Sequence, residues 1–583
     1  MGKYLIKGTK VNLSQMLLFV VAFAFVNSFV YYFISQERYI YFWDYYNYWV
    51  KYQNLGDLLM YSPVNAFSEI WRTIRQDDYN LLPVLFLMPF RLLFGAGRLP
   101  YILAIANVYV LPSAILCTAL VRNLTSQSDQ RESFLAELVT LSTFLLFVQF
   151  WNPVFLGYPD AAGVVVIFCI LLVLCRTPVE DMSAKTLISL GLMLAFLVLL
   201  RRWYAYWVVS FFVALAAERS VALFSRSRLN FKKYFSAARN IIVIGCAATA
   251  VFFLIAGPQA TKMLSTDYAD IYSAYKSDNT LSQIFGRFYW YFGPFTTVIF
   301  VAGLLYSVYA EKTRHFSIFL IVHSICVVVL FSRVQNFGAQ HLYQLMPSMI
   351  LVISLFASGL LKWVKNLPLR LSLSSAYVAI LTIQIFTVFI PGVADKYPKI
   401  TPFITGYRHY PLVRNDLGEI RKLLDVLGEL VRNDTEGIYV VASSTIINDD
   451  ILRNACRAFD YPQSFCNKIF ASSHVDKKDG FPKNLLSAGY VVVAEPEQYH
   501  LRPEDQRVIG ILAEQMHLKG GIGSSFDALN YEFLLDNDVR VHIYKKMRPF
   551  DGTALHHLED LFVAYYPDKK EIFTVPEIHK GAD

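Results

Sequence analysis

Long apolar runs recur through the first two-thirds of this chain, and they leave little choice of architecture. They lie near 11–34, 99–121, 135–150, 161–175, 186–200, 203–217, 240–257, 294–310, 316–332, 342–361 and 372–392. A helical span needs about 20 mostly apolar residues, because in hydrocarbon the backbone must satisfy its own hydrogen bonds. Several runs are shorter and must borrow flanking residues. Arg201-Arg202 splits the 186–217 region, which reads as two tightly packed spans or as one span plus a re-entrant piece. Composition agrees: 55% of the 583 residues are hydrophobic and 17% are charged, against about 25% charged in soluble domains. The sequence predicts a polytopic α-helical membrane protein of about eleven spans.

The net charge of +8 follows from the membrane too. Basic residues cluster in short loops, as the positive-inside bias requires. With a cytoplasmic N-terminus, Lys3, Lys7 and Lys10 fall inside, as do Arg122 with Arg131, Arg176 with Lys185, and the 219–239 loop with Arg226, Arg228, Lys232 and Lys233. Lys312 with Arg314, and Lys362, Lys365 and Arg370, land there as well. Nucleic acid is not needed to explain the charge. The basic start lacks a small-residue cleavage site and reads as an uncleaved anchor. The outer side then receives loops of about 35–98, 151–160, 258–293 and 332–341. These hold the polar and aromatic groups, whereas transporters usually place theirs near the bilayer midplane.

The first outer loop opens with Arg-Tyr-Ile-Tyr-Phe-Trp-Asp-Tyr-Tyr-Asn-Tyr-Trp, residues 38–49. Its rings suit an aromatic belt at the membrane boundary. Asp44 in their midst is costly there unless it has a partner, a metal or a reaction. Apolar residues at helical spacing over Pro63–Arg75 predict an amphipathic helix on the membrane surface. Gln76-Asp77-Asp78-Tyr79-Asn80 follows, and then Leu81–Phe94, read as interfacial or re-entrant. A second acid, Asp160, stands at the outer mouth of the fourth span after Gly157-Tyr158-Pro159; it reads either as a helix N-cap or as a functional carboxylate.

From residue 393 to 583 the pattern becomes that of a soluble α/β domain on the outer side, following a transmembrane domain of residues 1–392. Apolar spacing predicts a helix over Leu417–Val431, and Gly437–Ala442 and Gly489–Ala494 read as buried strands. Helical stretches lie at Ile447–Phe459 and Pro503–Met516. Tyr531–Leu535 and Val539–Tyr544 form a hairpin through Asp536-Asn537-Asp538. Cys456 and Cys466 fall in this polar third and form either a disulfide or two free thiols; the other five cysteines sit in or beside apolar runs. Asn433-Asp434-Thr435 is a glycosylation sequon, relevant in a eukaryotic host. No Gly-rich phosphate loop, metal-binding His pair or Ser/His/Asp arrangement is visible, and nothing in this domain reads as catalytic.

Four short motifs resemble those of the GT-C superfamily, integral membrane glycosyltransferases that use polyprenyl- or dolichyl-phosphate sugars, and among them the aminoarabinose and mannosyl transferase group. Trp43-Asp44-Tyr45 stands where that family has its first-loop acid, and Asp77-Asp78-Tyr79-Asn80-Leu81-Leu82-Pro83 resembles the close of that loop. Tyr158-Pro159-Asp160 is similar to the second-loop acidic motif, and His341-Leu342-Tyr343-Gln344-Leu345-Met346-Pro347 to the late outer motif that begins a span. The resemblance implies sugar transfer from a polyprenyl-phosphate donor to a lipid, glycan or protein acceptor outside the cytoplasm; the sequence shows no retention signal or convincing glycosylation pattern, which favours a bacterial inner membrane over the endoplasmic reticulum. A base must meet the acceptor hydroxyl and a cation the leaving phosphate. Asp44 is the expected base, with Asp160 a second catalytic acid. Arg201, Arg202, Arg333 and His341 are candidates for the phosphate, and Trp43, Tyr45, Asp77, Asp78, Asn80 and Tyr343 for binding substrate. The oligosaccharyltransferase pattern pairs acids in its second loop. Asp160 stands alone, so a Mg or Mn ion on Asp44 and Asp160 is expected only as an option. A lipid-linked-sugar flippase or transporter, a non-catalytic scaffold and an O-antigen ligase or polymerase are the rival readings.

Overall fold

The computed structural model describes residues 13–125, 130–224, 231–277, 280–399, 401–404, 406–432 and 436–576. Lys3, Lys7, Lys10, Arg226, Arg228 and the sequon Asn433-Asp434-Thr435 lie outside the described residues. By internal packing the chain forms two units. The first comprises Met1–Glu37, Asp44–Asp267 and Asp278–Pro411, and the second Arg38–Trp43, Tyr268–Ser277 and Leu412–Asp583. The change of unit therefore falls at Pro411/Leu412 rather than at 392/393. Composition shifts where the last apolar helix ends, but hydrogen bonds hold the next stretch to that helix. Gln384 donates to the Ile404 carbonyl at 2.7 Å, and His409 N–H to the Val388 carbonyl at 2.9 Å. Arg38 N–H donates to the Leu412 carbonyl, and Arg414 N–H to the Arg38 carbonyl, each at 2.9 Å, so part of the stretch that follows α1 in the sequence belongs to the second unit.

Every predicted apolar run coincides with a helix. Eight of the described helices are long and apolar enough to cross a membrane: Leu13–Ile34 (α1), Arg98–Thr125, Tyr204–Phe224, Phe231–Ser265, Leu281–Tyr309, Glu311–Ser332, Met346–Trp363 and Leu367–Phe389. A ninth candidate is a pair bent by 45°, Ser133–Leu145 with Val148–Phe155, and two shorter apolar helices are Ala161–Arg176 and Ala184–Leu200. The Arg201-Arg202 split thus separates two helices. Leu281–Tyr309 breaks at Gly293, whose φ of +79° a side chain would strain, directly before Pro294. Between α1 and the next span lie α2 (Trp43–Tyr61), α3 (Pro63–Gln76) and the short helices Leu82–Leu85 and Met88–Phe94. Helix α3 is amphipathic as predicted: Ala66, Ile70 and Ile74 are buried, while Val64, Phe67 and Trp71 are exposed. Rings of Phe29 and Phe33 from α1 pack on Trp151, Phe155 and Phe389, with Phe33 stacked on Phe155 at 3.8 Å.

The second unit is built on a four-stranded sheet in the order β1-β2-β4-β3, with β1 Gly437–Val441, β2 Ala488–Glu495, β3 Phe526–Leu535 and β4 Val539–Lys546. β1 and β2 are parallel; β2–β4 and β3–β4 are antiparallel. Parallel strands buried on both faces read as unbroken apolar runs, and alternation sends their side chains to two cores. Ile438, Val440, Tyr490 and Val492 pack with Leu423, Leu427, Ile451 and Leu452 from Leu417–Leu430 and Asp449–Ala458. Tyr439, Val441, Val491 and Val493 pack with Val508, Leu512, Leu558 and Phe562 from Arg507–Leu518 and Gly552–Tyr565. Cys456 and Cys466 form a disulfide with Cα atoms 5.7 Å apart.

Candidate functional site

A glycine turn sets up the site in the first unit. Gly157 has φ +86°, and a Cβ there would meet Arg98 Nη1 at 2.6 Å. Buried Arg98 donates to the Tyr45 carbonyl at 2.8 Å and the Phe155 carbonyl at 3.0 Å. Tyr101 hydroxyl donates to the Gly157 carbonyl at 2.8 Å. One guanidinium thereby ties the first turn of α2 to the turn carrying Tyr158-Pro159-Asp160. The Tyr45 ring meets Tyr158 edge-on at 6.0 Å.

Asp160 occupies the N-cap position of Ala161–Arg176, yet its side chain makes no capping bond. Its Oδ1 instead accepts from Arg201 Nε at 2.6 Å, and its buried Oδ2 has no hydrogen-bond partner. Arg201 follows Ala184–Leu200 in extended conformation and is 5% exposed. Burial excludes the alternative in which it reaches for lipid headgroups. Its Nη1 donates to Tyr48 hydroxyl at 2.7 Å, and its guanidinium lies 4.5 Å over the Tyr79 ring and 5.3 Å over that of Tyr48. Tyr204 hydroxyl donates to the Asp160 carbonyl at 2.8 Å.

Helix α2 contributes one face to this cluster. Asp44, Tyr48 and Lys51 stand at i, i+4 and i+7, the spacing that aligns side chains along a helix. Asp44 is half-buried, and its charge acts on Arg201, Lys51 and Tyr158. Lys51 Nζ donates to the Tyr79 carbonyl. Burial holds the Lys51 ammonium below lysine's usual range, with Arg201 pushing the same way and Asp77 and Asp44 opposing. Lys51, Tyr48 and Arg98 were not singled out from the sequence. The spacing from Asp44 is the signal that finds the first two, once the ring-rich stretch is recognised as the start of a helix.

The remaining predicted residues divide. Arg202 pairs with Asp78 at 2.7 Å, and Asp78 also meets Lys262 at 3.1 Å and accepts from Gln259 at 2.9 Å. Burial pushes the Asp78 carboxyl up, but these donors and cations outweigh it and hold the group below its ordinary value. Asp77 accepts from Arg72 at 3.3 Å. Asn80 clamps backbone, donating to the Leu199 carbonyl at 2.8 Å and accepting from Leu82 N–H at 2.9 Å. His341 Nδ1 accepts from Gly338 N–H at 3.0 Å, and its ring meets Trp203 and Phe331 at 5.4 and 4.7 Å. Tyr343 is fully buried and donates to the Phe150 carbonyl at 3.0 Å. Arg333 ends the Glu311–Ser332 helix and is exposed. Trp43 belongs to the second unit. Its ring packs on His500 and His474, and its backbone N–H donates to Asp450 Oδ2 at 2.9 Å.

The cluster can hold an anion and move a proton. Arg201 and Lys51 supply positive charge, and Asp44 and the orphaned Oδ2 of Asp160 supply carboxylate. A metal fits poorly: Asp160 already faces a guanidinium, and among the described residues no three His, Cys, Asp or Glu side chains are grouped to ligate one.

No family model and no curated protein matches this sequence. Among solved structures the fold is similar to ArnT from Cupriavidus metallidurans bound to undecaprenyl phosphate, at 12% identity and a TM-score of 0.44, over 90% of this chain and 97% of that one. The apo form of the same protein gives 12% identity and 0.45 over 91% and 98%. The apo oligosaccharyltransferase from Archaeoglobus fulgidus gives 13% and 0.42 over 83% and 70%.

Proposed function

We propose that this chain is an integral membrane glycosyltransferase that moves a sugar from a polyprenyl-phosphate-linked donor to a hydroxyl of an acceptor outside the cytoplasm. The observation that carries the reading is the grouping of Asp44, Tyr48 and Lys51 on one face of α2 with Asp160 and Arg201. In this scheme Asp44 takes the proton from the acceptor hydroxyl as its oxygen attacks the anomeric carbon. The sugar–phosphate bond breaks, and the charge gathering on the leaving phosphate is met by Arg201 and Lys51. Asp160 holds Arg201 in place, because a buried guanidinium without a counter-charge is costly. Amphipathic α3, with Val64, Phe67 and Trp71 exposed on one side, suits a boundary where a lipid tail stays in the membrane while its headgroup reacts.

The four sequence motifs support the same class, and the Cys456–Cys466 disulfide fits an oxidising compartment such as the periplasm. The acceptor is a lipid, a glycan or a protein. The test offers radiolabelled polyprenyl-phosphate sugars, with a lipid extract as acceptor, to membranes carrying the wild type or Asp44→Asn. Transfer by the wild type and its loss in the variant at equal protein level is the expected result. Equal transfer by both removes Asp44 from the chemistry. Label that crosses the membrane without being transferred favours the flippase reading.

A further inference from the structure

Two like charges lie together in the first unit, and one loop residue meets both. The Arg201 guanidinium stands 4.5 Å over the Tyr79 ring and the Lys51 ammonium 6.0 Å over it, and the ammonium also donates to the Tyr79 carbonyl. The Tyr48 ring, 6.0 Å from that of Tyr79, meets the same two cations at 5.3 and 5.7 Å. An aromatic face is the negative side of the ring's quadrupole, so it attracts a cation without cancelling its charge as a carboxylate would. Arg201 is buried, and poor screening makes the repulsion between it and Lys51 strong. Burial and the Arg201 charge both loosen the Lys51 proton, against Asp77 and Asp44. Lys51 has a flexible stem and would swing away unless something held it.

Tyr79 is itself fixed from both sides. Asp77 before it accepts from Arg72 at 3.3 Å, and Asp78 meets Arg202 at 2.7 Å, Lys262 at 3.1 Å and Gln259 at 2.9 Å. After it, Asn80 donates to the Leu199 carbonyl at 2.8 Å, and Leu81 N–H donates to Thr73 Oγ1 at 3.2 Å. These bonds tie the loop to α3, to the turn around Leu199–Arg202 and to the Phe231–Ser265 helix. Asp77, Asp78 and Asn80, expected to bind substrate, thus bond within the protein, and what they hold in place is the Tyr79 ring. On Arg201, Nε and Nη1 are taken by Asp160 and Tyr48. Among the described residues Nη2 has no hydrogen-bond partner, which leaves that edge to a ligand.

We propose that Tyr79 is a positioning residue, whose ring and carbonyl hold Arg201 and Lys51 together before any substrate arrives, so that a lipid phosphate need not draw them together on binding. The role rests on the proposed sugar transfer, in which these two cations meet the leaving phosphate. Without the ring, the fraction of molecules with both cations in place falls, and apparent affinity falls by the same factor. The electrons of the ring face carry this effect. A residue that merely filled space would leave affinity indifferent to them.

The test uses the full chain in lipid nanodiscs, titrated with farnesyl phosphate, a short polyprenyl monophosphate, with native mass spectrometry as readout. Position 79 carries Phe or its mono-, di- and trifluorinated forms, which keep the ring's outline and progressively weaken its negative face. Affinity should fall stepwise along this series, by about tenfold from Phe to the trifluorinated ring, at a constant thermal midpoint. Tyr79→Leu should bind no better than the trifluorinated form. Sugar transfer is measured on the same samples. Affinity that is flat along the series, or that rises, overturns the proposal even where wild-type transfer stands. Graded affinity in a protein that transfers no sugar from any donor offered upholds the positioning of the two cations and overturns the transferase reading. No binding of farnesyl phosphate by the wild type overturns both.

Discussion

Arg201 Nε lies 2.6 Å from Asp160 Oδ1, and the two side chains are 5% and 0% exposed. Each residue ends or begins a different helix, so this pair pins the end of Ala184–Leu200 to the start of Ala161–Arg176. Such a pair is costly to desolvate and more costly to break.

Removing one partner should therefore destabilise the protein before any chemistry is read. Asp160→Asn or Arg201→Met each leaves a buried charge without its counter-charge, at a cost of about 3–5 kcal/mol. The double variant Asp160→Leu with Arg201→Met should recover most of the thermal midpoint of the purified protein and remain inactive in sugar transfer. Recovery of both would show the pair to be structural alone.

Lys51 offers a test of phosphate recognition that spares this pair. Lys51→Met removes a cation but keeps the stem of the side chain, so folding should change little. Transfer should fall by roughly tenfold to a hundredfold, the scale of about 1.4–2.7 kcal/mol in the barrier. An unchanged rate at saturating donor, with unchanged KM, would remove Lys51 from the site.

Asp476 predicts a pH dependence within the second unit. It is fully buried, and its Oδ2 accepts from Val508 N–H at 2.9 Å and from Tyr566 hydroxyl at 2.7 Å. Burial pushes its carboxyl up to about 7, with those two donors opposing. In the unfolded chain the value is about 3.9. Between these values the folded state holds a proton that the unfolded state lacks. Its contribution to stability is therefore present below about pH 4, is lost as pH rises toward about 7 and is flat above that. Asp476→Asn keeps an acceptor oxygen and cannot ionise, so it should remove this slope from the calorimetric midpoint measured across pH 4 to 8.

Cys456 and Cys466 close a loop with a sequence separation of 10. A crosslink of that length stabilises by about 3 kcal/mol in the loop-entropy account. The double variant Cys456→Ala with Cys466→Ala should lower the unfolding midpoint of the second unit. Mass spectrometry of the unreduced wild type should recover the peptides joined.

The apolar runs determined by themselves that this chain forms membrane-length helices, because burying a backbone in hydrocarbon permits little else. Short unbroken apolar runs likewise disclosed β1 and β2, the turn residues Asp536-Asn537-Asp538 between two strand-like stretches disclosed the β3–β4 hairpin, and the spacing over Pro63–Arg75 disclosed α3. Asp44 and Asp160 stood out as acids among rings and apolar residues. What the sequence could not disclose is which charge faces which. Arg201 looked equally suited to lipid and to phosphate until the fold set it on Asp160 and Tyr48, residues 41 and 153 positions away. Trp43 was expected among the substrate-binding residues, and the fold packs its ring on His474 and His500. Helix periodicity is a local property, written in neighbouring residues. Ion pairs and hydrogen-bond relays are set by where distant helix ends and strand ends converge, and only the tertiary structure decided that.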